Sequence, residues 1–347
     1  MKAAILTGAR SIEIKDIDEP QLTSGDIKIE VLSCGVCGSD IHMWQAGHGW
    51  SDSHEPFVMG HEFCGSVIDA GDSNFKKGDR VVFWANLYCG KCEMCRQGLE
   101  HLCHEVNGKN YIGFVCNGGY AQYFVGKSRN AYKLPDSVSD VAAATIDPLM
   151  VAYHAVKRAN IKLNDKVLIT GSGIIGNFIA ALAKKSGASL VAMTKISDKK
   201  IVRSRELGFV DAYFDANKDN LREDLINVSQ GGFDIAFEAV GNSLALNTCI
   251  DDVKSGSRVV MIGNSLSEYV DFAMNKAVLH ELSLLGSVSC TEKEFSDTIN
   301  LISSGTIVPE DFVTDIVSLD KLQETMLRLT AVDDPILKAV IMPNRDF

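Results

Sequence analysis

The chain has 347 residues, of which 46% are hydrophobic and 23% are charged, and its formal net charge at pH 7 is −11. This composition is typical of a folded protein, and the length leaves room for two domains with separate cores. The acidic balance argues against nucleic acid or an anionic membrane as a partner, because both attract basic surfaces. No apolar run approaches the roughly 18 residues of a membrane span.

The first residues and the cysteines predict a cytoplasmic protein. Met1 to Leu6 leads directly into the alternating strand pattern of Ser11 to Ile14, without the apolar segment and cleavage site of a signal peptide. Ten cysteines in a secreted protein would suggest disulfides, whereas in a reducing cytosol they suggest metal binding.

The first part of the chain, up to about Lys133, has the pattern of a mostly β domain. Short runs of alternating apolar residues separated by glycine predict strands at Ile27 to Leu32, Gly65 to Ile68, Asp79 to Phe83 and Tyr120 to Val125. From about Leu134 the pattern changes, and it predicts helices at Val141 to Ile146 and Leu149 to Lys157.

Strands and helices then alternate, which predicts a doubly wound parallel sheet. The predicted strands are Lys166 to Thr170, Ser189 to Thr194, Ala212 to Phe214, Ile235 to Glu238, Arg258 to Ile262 and Ser283 to Gly286. The predicted helices are Ile174 to Lys185, Lys199 to Leu207, Leu221 to Val228 and Leu244 to Lys254. After Ser287 the pattern predicts one more helix and short strands such as Leu337 to Met342.

Four cysteines fall within fifteen residues, namely Cys89, Cys92, Cys95 and Cys103. This spacing lets one loop surround a tetrahedral zinc ion with four thiolates and no open position, which suits a stabilising role. An iron–sulfur cluster needs similar cysteines but has no reason to lie between strands ahead of a nucleotide-binding fold. We expect the neighbouring His101 and His104 to be solvated loop residues rather than ligands.

A second group of metal-ligand residues is split between two loops. Cys37 lies in the segment Cys34 to His42, and His61 lies in Gly60-His61-Glu62. A catalytic zinc ion needs about three protein ligands and an open position, and Cys37 and His61 can supply two of them. Glycines beside both residues let the backbone approach closely. Spacing alone leaves a structural role for these residues equally open.

Together these motifs resemble the zinc-containing medium-chain alcohol/polyol dehydrogenases. The match consists of Cys-Gly-Ser-Asp-x-His (37–42), Gly-His-Glu-x-x-Gly (60–65) and the four-cysteine lobe, in order and over essentially the whole chain. The resemblance implies a GroES-like β-rich catalytic domain with the structural zinc lobe at residues 1–150 and 287–347. It implies a Rossmann NAD(P)-binding domain, a doubly wound parallel sheet, at residues 151–286, and two zinc ions per chain.

The resemblance also implies roles around the second metal. Cys37 and His61 would be catalytic zinc ligands, and Glu62 a carboxylate that binds the metal or swings toward it. The resemblance further implies that Asp40 orients His61 and that Ser39 and His42 pass the substrate proton to solvent. We expect Cys34 and Cys64 to be packing residues.

The third ligand position distinguishes subgroups of this family. Ethanol-type members have a cysteine there, and sorbitol-type members have the carboxylate of Glu-Pro-Leu. This chain has Asp147-Pro148-Leu149, so Asp147 resembles the shorter carboxylate of bacterial secondary-alcohol enzymes. Oxygen in place of sulfur makes the zinc ion a harder Lewis acid. The alternative is that Asp147 is a helix N-cap before proline.

A glycine motif between a predicted strand and a predicted helix indicates a dinucleotide site. In GxGxxG, Gly171 makes the turn, Gly173 lets the backbone approach the pyrophosphate, and Gly176 permits close helix–strand packing. The helix N-terminus then faces the phosphates. Further residues expected to contact the cofactor are Ile174, Ile175, Val240 and Gly263.

The end of the second predicted strand indicates which nicotinamide cofactor is used. NAD enzymes carry an acid there that binds the ribose 2′-hydroxyl, whereas this chain has Thr194-Lys195. A cation suits the 2′-phosphate, so we predict that NADP(H) is favoured over NAD(H). Asp198 comes three residues late and is expected to cap the next helix. Other nearby cations either add to the patch or form a solvated helix face, namely Lys199, Lys200 and Arg203.

The predicted activity is reversible oxidation of a secondary alcohol or polyol to its ketone. Two departures from the sorbitol-type pattern leave the substrate open: Cys290-Thr291 replaces an Arg-Tyr pair, and the loop Gly71 to Gly78 is short, with Asn74 unusual. Alternatives are an NAD-linked polyol or threonine-type amino-alcohol dehydrogenase and an aldehyde reductase. A non-catalytic NADP-binding protein is disfavoured, because the ligand residues are retained.

Two further expectations concern the pocket and the assembly. Four aromatic residues in predicted loops are expected either to line an apolar substrate pocket or to belong to the core: Trp44, Trp50, Trp84 and Phe114. The resemblance implies a homodimer or homotetramer through the terminal strand of the nucleotide domain, Ser283 to Ser287.

Overall fold

A computed structural model describes residues 1–48, 57–106, 110–265 and 269–345. The chain forms two compact units. The first comprises Met1–Asp147, Thr291–Ala331 and Lys338–Phe347, and the second comprises Pro148–Cys290 and Val332–Leu337. None of the helices in the described ranges is both long enough and apolar enough to cross a bilayer.

The described residues form fifteen strands. In chain order they are β1 (Lys2–Gly8), β2 (Ser11–Asp16), β3 (Asp26–Gly35), β4 (Glu62–Asp69), β5 (Arg80–Phe83), β6 (Tyr123–Lys127), β7 (Ala131–Lys133), β8 (Lys166–Thr170), β9 (Leu190–Lys195), β10 (Ala212–Asp215), β11 (Phe233–Glu238), β12 (Val253–Met261), β13 (Ser283–Gly286), β14 (Asp315–Ser318) and β15 (Ala339–Met342).

The same ranges contain eleven α-helices. They are α1 (Gly38–Ala46), α2 (Glu93–Arg96), α3 (Asp140–Ala143), α4 (Ile146–Ala159), α5 (Ile174–Lys185), α6 (Val202–Leu207), α7 (Leu221–Ser229), α8 (Ser243–Asp252), α9 (Met274–Leu279), α10 (Glu292–Ser303) and α11 (Leu322–Thr330). Short 3₁₀ helices lie at Glu100–Leu102, Ser128–Asn130, Lys199–Ile201, Pro309–Phe312 and Leu319–Lys321.

The first unit is built on a seven-stranded sheet and a separate β1–β2 hairpin. The sheet order is β14-β15-β3-β4-β5-β7, with β6 pairing with β3. Phe63, Phe83 and Phe124 stack in its core with ring centroids 4.7 to 5.4 Å apart, each contributing roughly 2 kcal/mol by burial. The register sets Gly35 of β3 between Glu62 of β4 and Val340 of β15. Both neighbours of Gly35 therefore come from distant parts of the sequence.

The second unit is a six-stranded parallel sheet in the order β10-β9-β8-β11-β12-β13. Its order reverses between β8 and β11, and this switch point is where dinucleotides bind beyond the carboxyl ends of the strands. One face is covered by apolar residues of α7 and α8, including Leu225, Leu246 and Ile250. The predicted combination of a β-rich domain and a doubly wound parallel sheet is confirmed.

Two predicted helices differ from the structure for local reasons. The helix predicted at Val141 to Ile146 is interrupted after α3, where the Thr145 hydroxyl donates to the carbonyl of Ala142 at 2.7 Å. Pro148 has no N–H group, so it fits only in the first turn of the next helix, α4. The helix predicted from Lys199 begins as a 3₁₀ turn, and α6 starts at Val202.

Candidate functional site

The four clustered cysteines of the first unit surround a single point. Their Sγ atoms all lie within 4.8 Å of one another. Three of the separations are 3.6 Å (Cys92–Cys95), 3.8 Å (Cys92–Cys103) and 4.0 Å (Cys89–Cys95). Sulfur atoms at tetrahedral corners about 2.3 Å from a zinc ion are separated by about 3.8 Å. The geometry therefore fits a four-thiolate zinc site.

Backbone N–H groups donate hydrogen bonds to these sulfur atoms and stabilise the thiolate form that binds a cation. The N–H groups of Cys89 and Cys92 donate to the sulfurs of Cys103 and Cys89, each at 3.3 Å. Backbone donors from Cys95 and His104 lower the pKa of Cys92 to about 6. Burial and hydrogen bonds among the sulfurs raise the pKa of Cys95 to about 12. A proton retained among the thiolates is what a divalent cation displaces on binding.

The two histidines beside the lobe differ in exposure. His104 is exposed, as predicted, but His101 is only 4% exposed. His101 lies in the 3₁₀ helix Glu100–Leu102, which folds its side chain inward. The prediction of a solvated loop residue is therefore wrong for His101.

The second metal-ligand group joins Cys37, His61 and Glu62. Cys37 is the N-cap of α1, Glu62 is the first residue of β4, and His61 immediately precedes it. One potential ligand atom of each residue lies within 4.8 Å of those of the others. Thiolate, imidazole and carboxylate are the donors that zinc takes in catalytic sites. Oε1 of Glu62 is buried without a hydrogen-bond partner in the described ranges, as expected of an oxygen reserved for a metal.

Asp40 connects the loop of Cys37 to His61. Its Oδ2 accepts the Cys37 N–H at 3.0 Å and lies 2.7 Å from the Tyr120 hydroxyl. Its Oδ1 lies 3.5 Å from Nδ1 of His61, which leaves Nε2 as the ring nitrogen available to a metal. The structure thus places Asp40 where the resemblance implied an orienting residue.

The electrostatics of this group favour a bound cation. Burial lowers the pKa of His61, but the charges of Asp40 and Cys37 outweigh it and raise that pKa well above its usual value. Burial likewise raises the pKa of Asp40, yet His61 and the hydrogen bonds from Cys37 and Tyr120 produce a net lowering. Negative charge is therefore concentrated where the three ligand atoms meet.

Asp147 is close to this group but is not one of its three members. It is the second residue of α4, inside the first turn rather than at the N-cap position, and it is half-buried. Burial raises the pKa of Asp147 to about 7. The nearby charges of His61 and Lys338 lower this pKa, whereas those of Glu62 and Asp40 raise it further. The assignment of Asp147 as third ligand stays a prediction.

Ser39 and His42 lie three positions apart on α1, so they face the same side of the helix. The Ser39 Oγ atom is buried and has no hydrogen-bond partner in the described part of the chain, and His42 is half-buried. Cys34 and Cys64 are fully buried, as packing residues are.

The predicted aromatic residues divide between core and site. Trp44 donates its indole N–H to Gln323 at 3.2 Å, and Trp84 packs on Phe295, so both belong to the core. Phe114 makes an edge contact with His61, with ring centroids 4.8 Å apart. Trp50 lies outside the described residues.

Three residues near the group were missed by the sequence analysis. Tyr120 supports Asp40, and Tyr111 packs on Phe114 at 5.5 Å. Burial and the charge of Asp147 raise the pKa of Tyr111 to about 12. Lys338 is 1% exposed and pairs with Glu62. Its position inside the apolar run Ile336 to Met342 is the signal that could have identified it.

The glycine motif of the second unit follows β8 at the switch point. Gly171 has φ of +106°, and a side chain there would meet Val240 Cγ2 at 2.9 Å. Open space surrounds Gly173, the N-cap of α5, as required for a pyrophosphate to approach the backbone. The helix residues Ile174, Ile175 and Gly176 follow directly.

A buried carboxylate fixes the turn that faces Gly171. Oε1 of Glu238, the last residue of β11, accepts the N–H groups of Val240 at 2.8 Å and Gly241 at 2.7 Å. A side chain at Gly263 would lie 2.8 Å from the other Glu238 oxygen. Val240 and Gly263 therefore lie together at the carboxyl end of the sheet, and Glu238 is a residue that the motif search missed.

Lys195 is the last residue of β9, and Thr194 Oγ1 accepts the Gly171 N–H at 3.3 Å. Lys195 lies 3.3 Å from Asp198, which also pairs with Arg205 at 3.1 Å. Asp198 occupies the N-cap position of the 3₁₀ turn Lys199–Ile201, as expected, but its side chain makes no capping hydrogen bond. Ser197 Oγ accepts the Lys199 N–H instead, at 3.2 Å.

The other cations near Lys195 have acidic neighbours. Arg203 pairs with Glu206 at 2.8 Å, and Lys199 lies 3.9 Å from Asp333. Burial lowers the pKa of Lys200, against the raising effect of Asp334. These residues form a mixed-charge surface rather than a purely basic patch.

Comparison with known proteins agrees with both units. Residues 23–136 match the family model described as alcohol dehydrogenase GroES-like domain, and residues 175–304 match zinc-binding dehydrogenase. An (R,R)-butanediol dehydrogenase of Neisseria gonorrhoeae is 30% identical over 99% of this chain and 100% of its own length. An L-threonine 3-dehydrogenase of an Enterobacter species is 32% identical over 81% of this chain and 82% of its own.

A solved structure extends the likeness to the whole fold. It is a protein of Sinorhizobium meliloti, provisionally described as a zinc-binding dehydrogenase and bound to NADP. The TM-score is 0.86 at 27% identity, with 99% of each chain covered. With the two cysteine-containing metal groups and the glycine motif in place, this protein is an enzyme of the zinc-containing medium-chain alcohol dehydrogenase family.

Proposed function

We propose that the protein is a zinc-dependent oxidoreductase that interconverts a secondary alcohol or polyol and its ketone with NADP(H). The observation that carries this proposal is the Cys37–His61–Glu62 group, whose buried Glu62 Oε1 has no hydrogen-bond partner among the described residues. Cys37, His61 and a carboxylate from Asp147 or Glu62 would hold the metal. When bound, the zinc ion would supply the positive charge that favours loss of the substrate hydroxyl proton, and NADP at the glycine motif would supply the hydride acceptor.

The chain's own side chains move the proton. Ser39 Oγ is buried and unpaired within the described ranges, so it is free to accept a hydrogen bond from a substrate hydroxyl. His42, on the same face of α1 and partly exposed, can pass that proton to solvent. Asp40 keeps His61 in one orientation, and Phe114 covers one edge of its ring. Ketone reduction is the same path reversed.

We also propose a second, structural zinc ion in the lobe of Cys89, Cys92, Cys95 and Cys103, giving two per chain. Four thiolates leave no position for substrate, so this ion stabilises the fold. Reduced cysteines of this kind persist in a reducing compartment, which supports a cytoplasmic location.

The preference for NADP(H) is proposed from Lys195. The end of β9 carries a cation where NAD enzymes carry an acid, and the Lys195 side chain is only 10% exposed. Asp198 lies 3.3 Å from its ammonium group, and the neighbouring Thr194 accepts the N–H of Gly171 in the glycine loop. The NADP-bound relative supports the same cofactor.

Replacing Lys195 with aspartate should reverse the cofactor preference. We expect the wild-type protein to favour NADP(H) by at least about tenfold in kcat/KM, or about 1.4 kcal/mol, because the 2′-phosphate gains a cation. The variant presents a carboxylate that repels the phosphate and accepts a hydrogen bond from the ribose hydroxyl of NAD. Steady-state kinetics with both cofactors measures the reversal.

Lys199→Asp is the matched control for that measurement. It makes the same charge change on a residue that is 65% exposed and only loosely paired, so it should keep the wild-type preference. Equal efficiency of the wild type with both cofactors would disprove the assignment.

We propose that the second unit forms a homodimer or part of a homotetramer through β13. This strand ends the sheet, and an edge strand exposes unpaired backbone groups. Large apolar side chains just before it are exposed: Tyr269 (81%), Met274 (64%) and Leu279 (82%). Such a concentration of exposed apolar surface is typical of an interface.

A charge placed in this surface should dissociate the assembly. Leu279→Glu should convert the dimer or tetramer to monomer in size-exclusion chromatography with light scattering, because it buries an unpaired carboxylate. Leu163→Glu is the control, since Leu163 is 78% exposed elsewhere in the same unit. A monomeric wild type, or identical behaviour of both variants, would contradict the proposed interface.

Two other activities have specific support. Part of the sequence is 32% identical to a threonine dehydrogenase, which favours an amino-alcohol substrate as the second candidate. An NAD-linked polyol dehydrogenase and an aldehyde reductase are the remaining enzymatic alternatives.

A substrate panel distinguishes these activities. Secondary alcohols, polyols, threonine, ketones and aldehydes are tested with both cofactors, and zinc content is measured on the same sample. We expect turnover of a secondary alcohol or diol, with two zinc ions per chain. Full activity in metal-stripped protein would overturn the zinc mechanism, and a preference for threonine would establish the second candidate.

A further inference from the structure

Lys338 is a buried cation next to the proposed catalytic metal. It immediately precedes β15 and is 1% exposed. Its ammonium group donates to Oε2 of Glu62 and to the carbonyl of Val36 at 2.9 Å. A side chain at Gly35 would lie 3.0 Å from Lys338 Cε and 2.5 Å from the carbonyl of Ala144. Glycine at position 35 leaves the space that the Lys338–Glu62 pair occupies.

A buried ion pair is a poor way to stabilise a fold. The desolvation of two charges often exceeds their attraction, and apolar residues of similar volume are frequently as stabilising. Lys338 interrupts the apolar run Ile336 to Met342, where a methionine would suit the burial. The charge is therefore better explained by what it does to Glu62.

Glu62 lies between two cationic sites. Its Oε2 accepts from Lys338, whereas Oε1 is buried without a hydrogen-bond partner in the described ranges. One of its oxygens lies within 4.8 Å of the ligand atoms of Cys37 and His61. A single carboxylate is thus shared between a fixed ammonium group and the place where a zinc ion would bind.

We propose that Lys338 is a positioning residue that competes with the zinc ion for Glu62 and so keeps Glu62 from becoming a permanent ligand. The proposal rests on the zinc site of the proposed function. In the arrangement of the proposed function in which Asp147 is the carboxylate ligand beside Cys37 and His61, a permanently bound Glu62 would close the coordination shell as the four cysteines close the structural site. The lysine charge draws the carboxylate away from the metal, which leaves one position open for substrate.

Removing the lysine charge should strengthen the hold of Glu62 on the metal. In Lys338→Met we expect zinc to leave this site at least about tenfold more slowly in a chelator-competition assay, since outer ligand partners typically change metal affinity by about 10–100-fold. The visible spectrum of the cobalt-substituted protein should change, because a fourth protein ligand alters the ligand field. Activity should fall in the same variant.

A double variant separates this role from a structural one. If Lys338 acts through Glu62, Lys338→Met should have no effect on metal release or on the cobalt spectrum in a Glu62→Gln background. The double variant Glu62→Gln/Lys338→Met removes both charges together and therefore leaves no unpaired buried ion. It remains testable if Lys338→Met alone folds poorly. Its rate of zinc release should equal that of Glu62→Gln.

Arg80→Met is the control for loss of an ion pair. Arg80 pairs with Asp140 at 2.8 Å in the same unit, and its removal should lower stability without changing the cobalt spectrum. Zinc release from Lys338→Met that is unchanged or faster would overturn the competition, as would an effect that persists in Glu62→Gln. A wild type that binds no metal through Cys37 and His61 would instead overturn the proposed function as well.

Discussion

Replacing Cys37 with serine should lower kcat/KM by at least about a thousandfold, equivalent to about 4 kcal/mol of transition-state stabilisation. Cys37 contributes the one thiolate of the Cys37–His61–Glu62 group, and serine is not deprotonated at neutral pH and does not replace it as a zinc ligand. The metal content should fall from two zinc ions per chain to one. NADPH binding should persist, because the glycine motif lies in the second unit.

The measurement combines steady-state kinetics, metal analysis and NADPH fluorescence titration on one preparation. Cys64→Ser is the matched control: Cys64 is buried in β4, two residues after Glu62, but lies outside the metal group. It should retain both zinc ions and most of the activity. A Cys37→Ser enzyme that keeps both metals and normal turnover would disprove the assignment of the catalytic ligands.

Replacing Cys103 with serine should destabilise the first unit by roughly 3 kcal/mol or more, because structural zinc contributes its binding energy to folding. Cys103 is fully buried, and its sulfur lies 3.8 Å from that of Cys92. The three remaining thiolates would hold zinc weakly, and a buried hydroxyl would stand where the fourth sulfur was. We expect the melting temperature to fall by roughly 6–12 °C.

Differential scanning calorimetry and zinc analysis measure this loss. Cys116→Ser is the control, since Cys116 is a half-buried thiol of the same unit that belongs to neither metal group. It should leave the metal content at two and the melting temperature nearly unchanged. Chelator treatment of the wild type should reproduce the Cys103→Ser phenotype. An unchanged melting temperature together with full zinc content in Cys103→Ser would contradict a structural metal.

The sequence predicted the second unit closely because its elements are locally encoded. The predicted strand at Lys166 to Thr170 and helix at Ile174 to Lys185 coincide with β8 and α5. Each is a contiguous apolar pattern bounded by glycine, and a crossover helix needs no information from distant residues. The start of β12 was less predictable: the strand begins at Val253, where the predicted helix Leu244 to Lys254 was expected to continue.

The metal-binding motifs of the first unit could be recognised in the sequence, but the residues that contact them could not. Cysteine and histidine spacing identified the ligand-forming loops, since few residue types bind zinc. The partners of those ligands come from far along the chain: Tyr120 reaches Asp40, and Lys338 reaches Glu62. Such contacts depend on the strand order β15-β3-β4, which no local pattern specifies. For the same reason, the spacing of residues in the sequence does not decide between Asp147 and Glu62 as the third metal ligand.

Asp40 contacts two different parts of the proposed metal site through its two carboxylate oxygens. One carboxylate oxygen receives the N–H group at the start of α1, and the other faces the ring of His61. The first turn of that helix and the orientation of the imidazole therefore depend on the same carboxylate. In the folded chain, Asp40 already restricts the conformations of the Cys37 loop and of the His61 ring. Metal binding therefore costs less conformational entropy, because these groups were ordered when the chain folded.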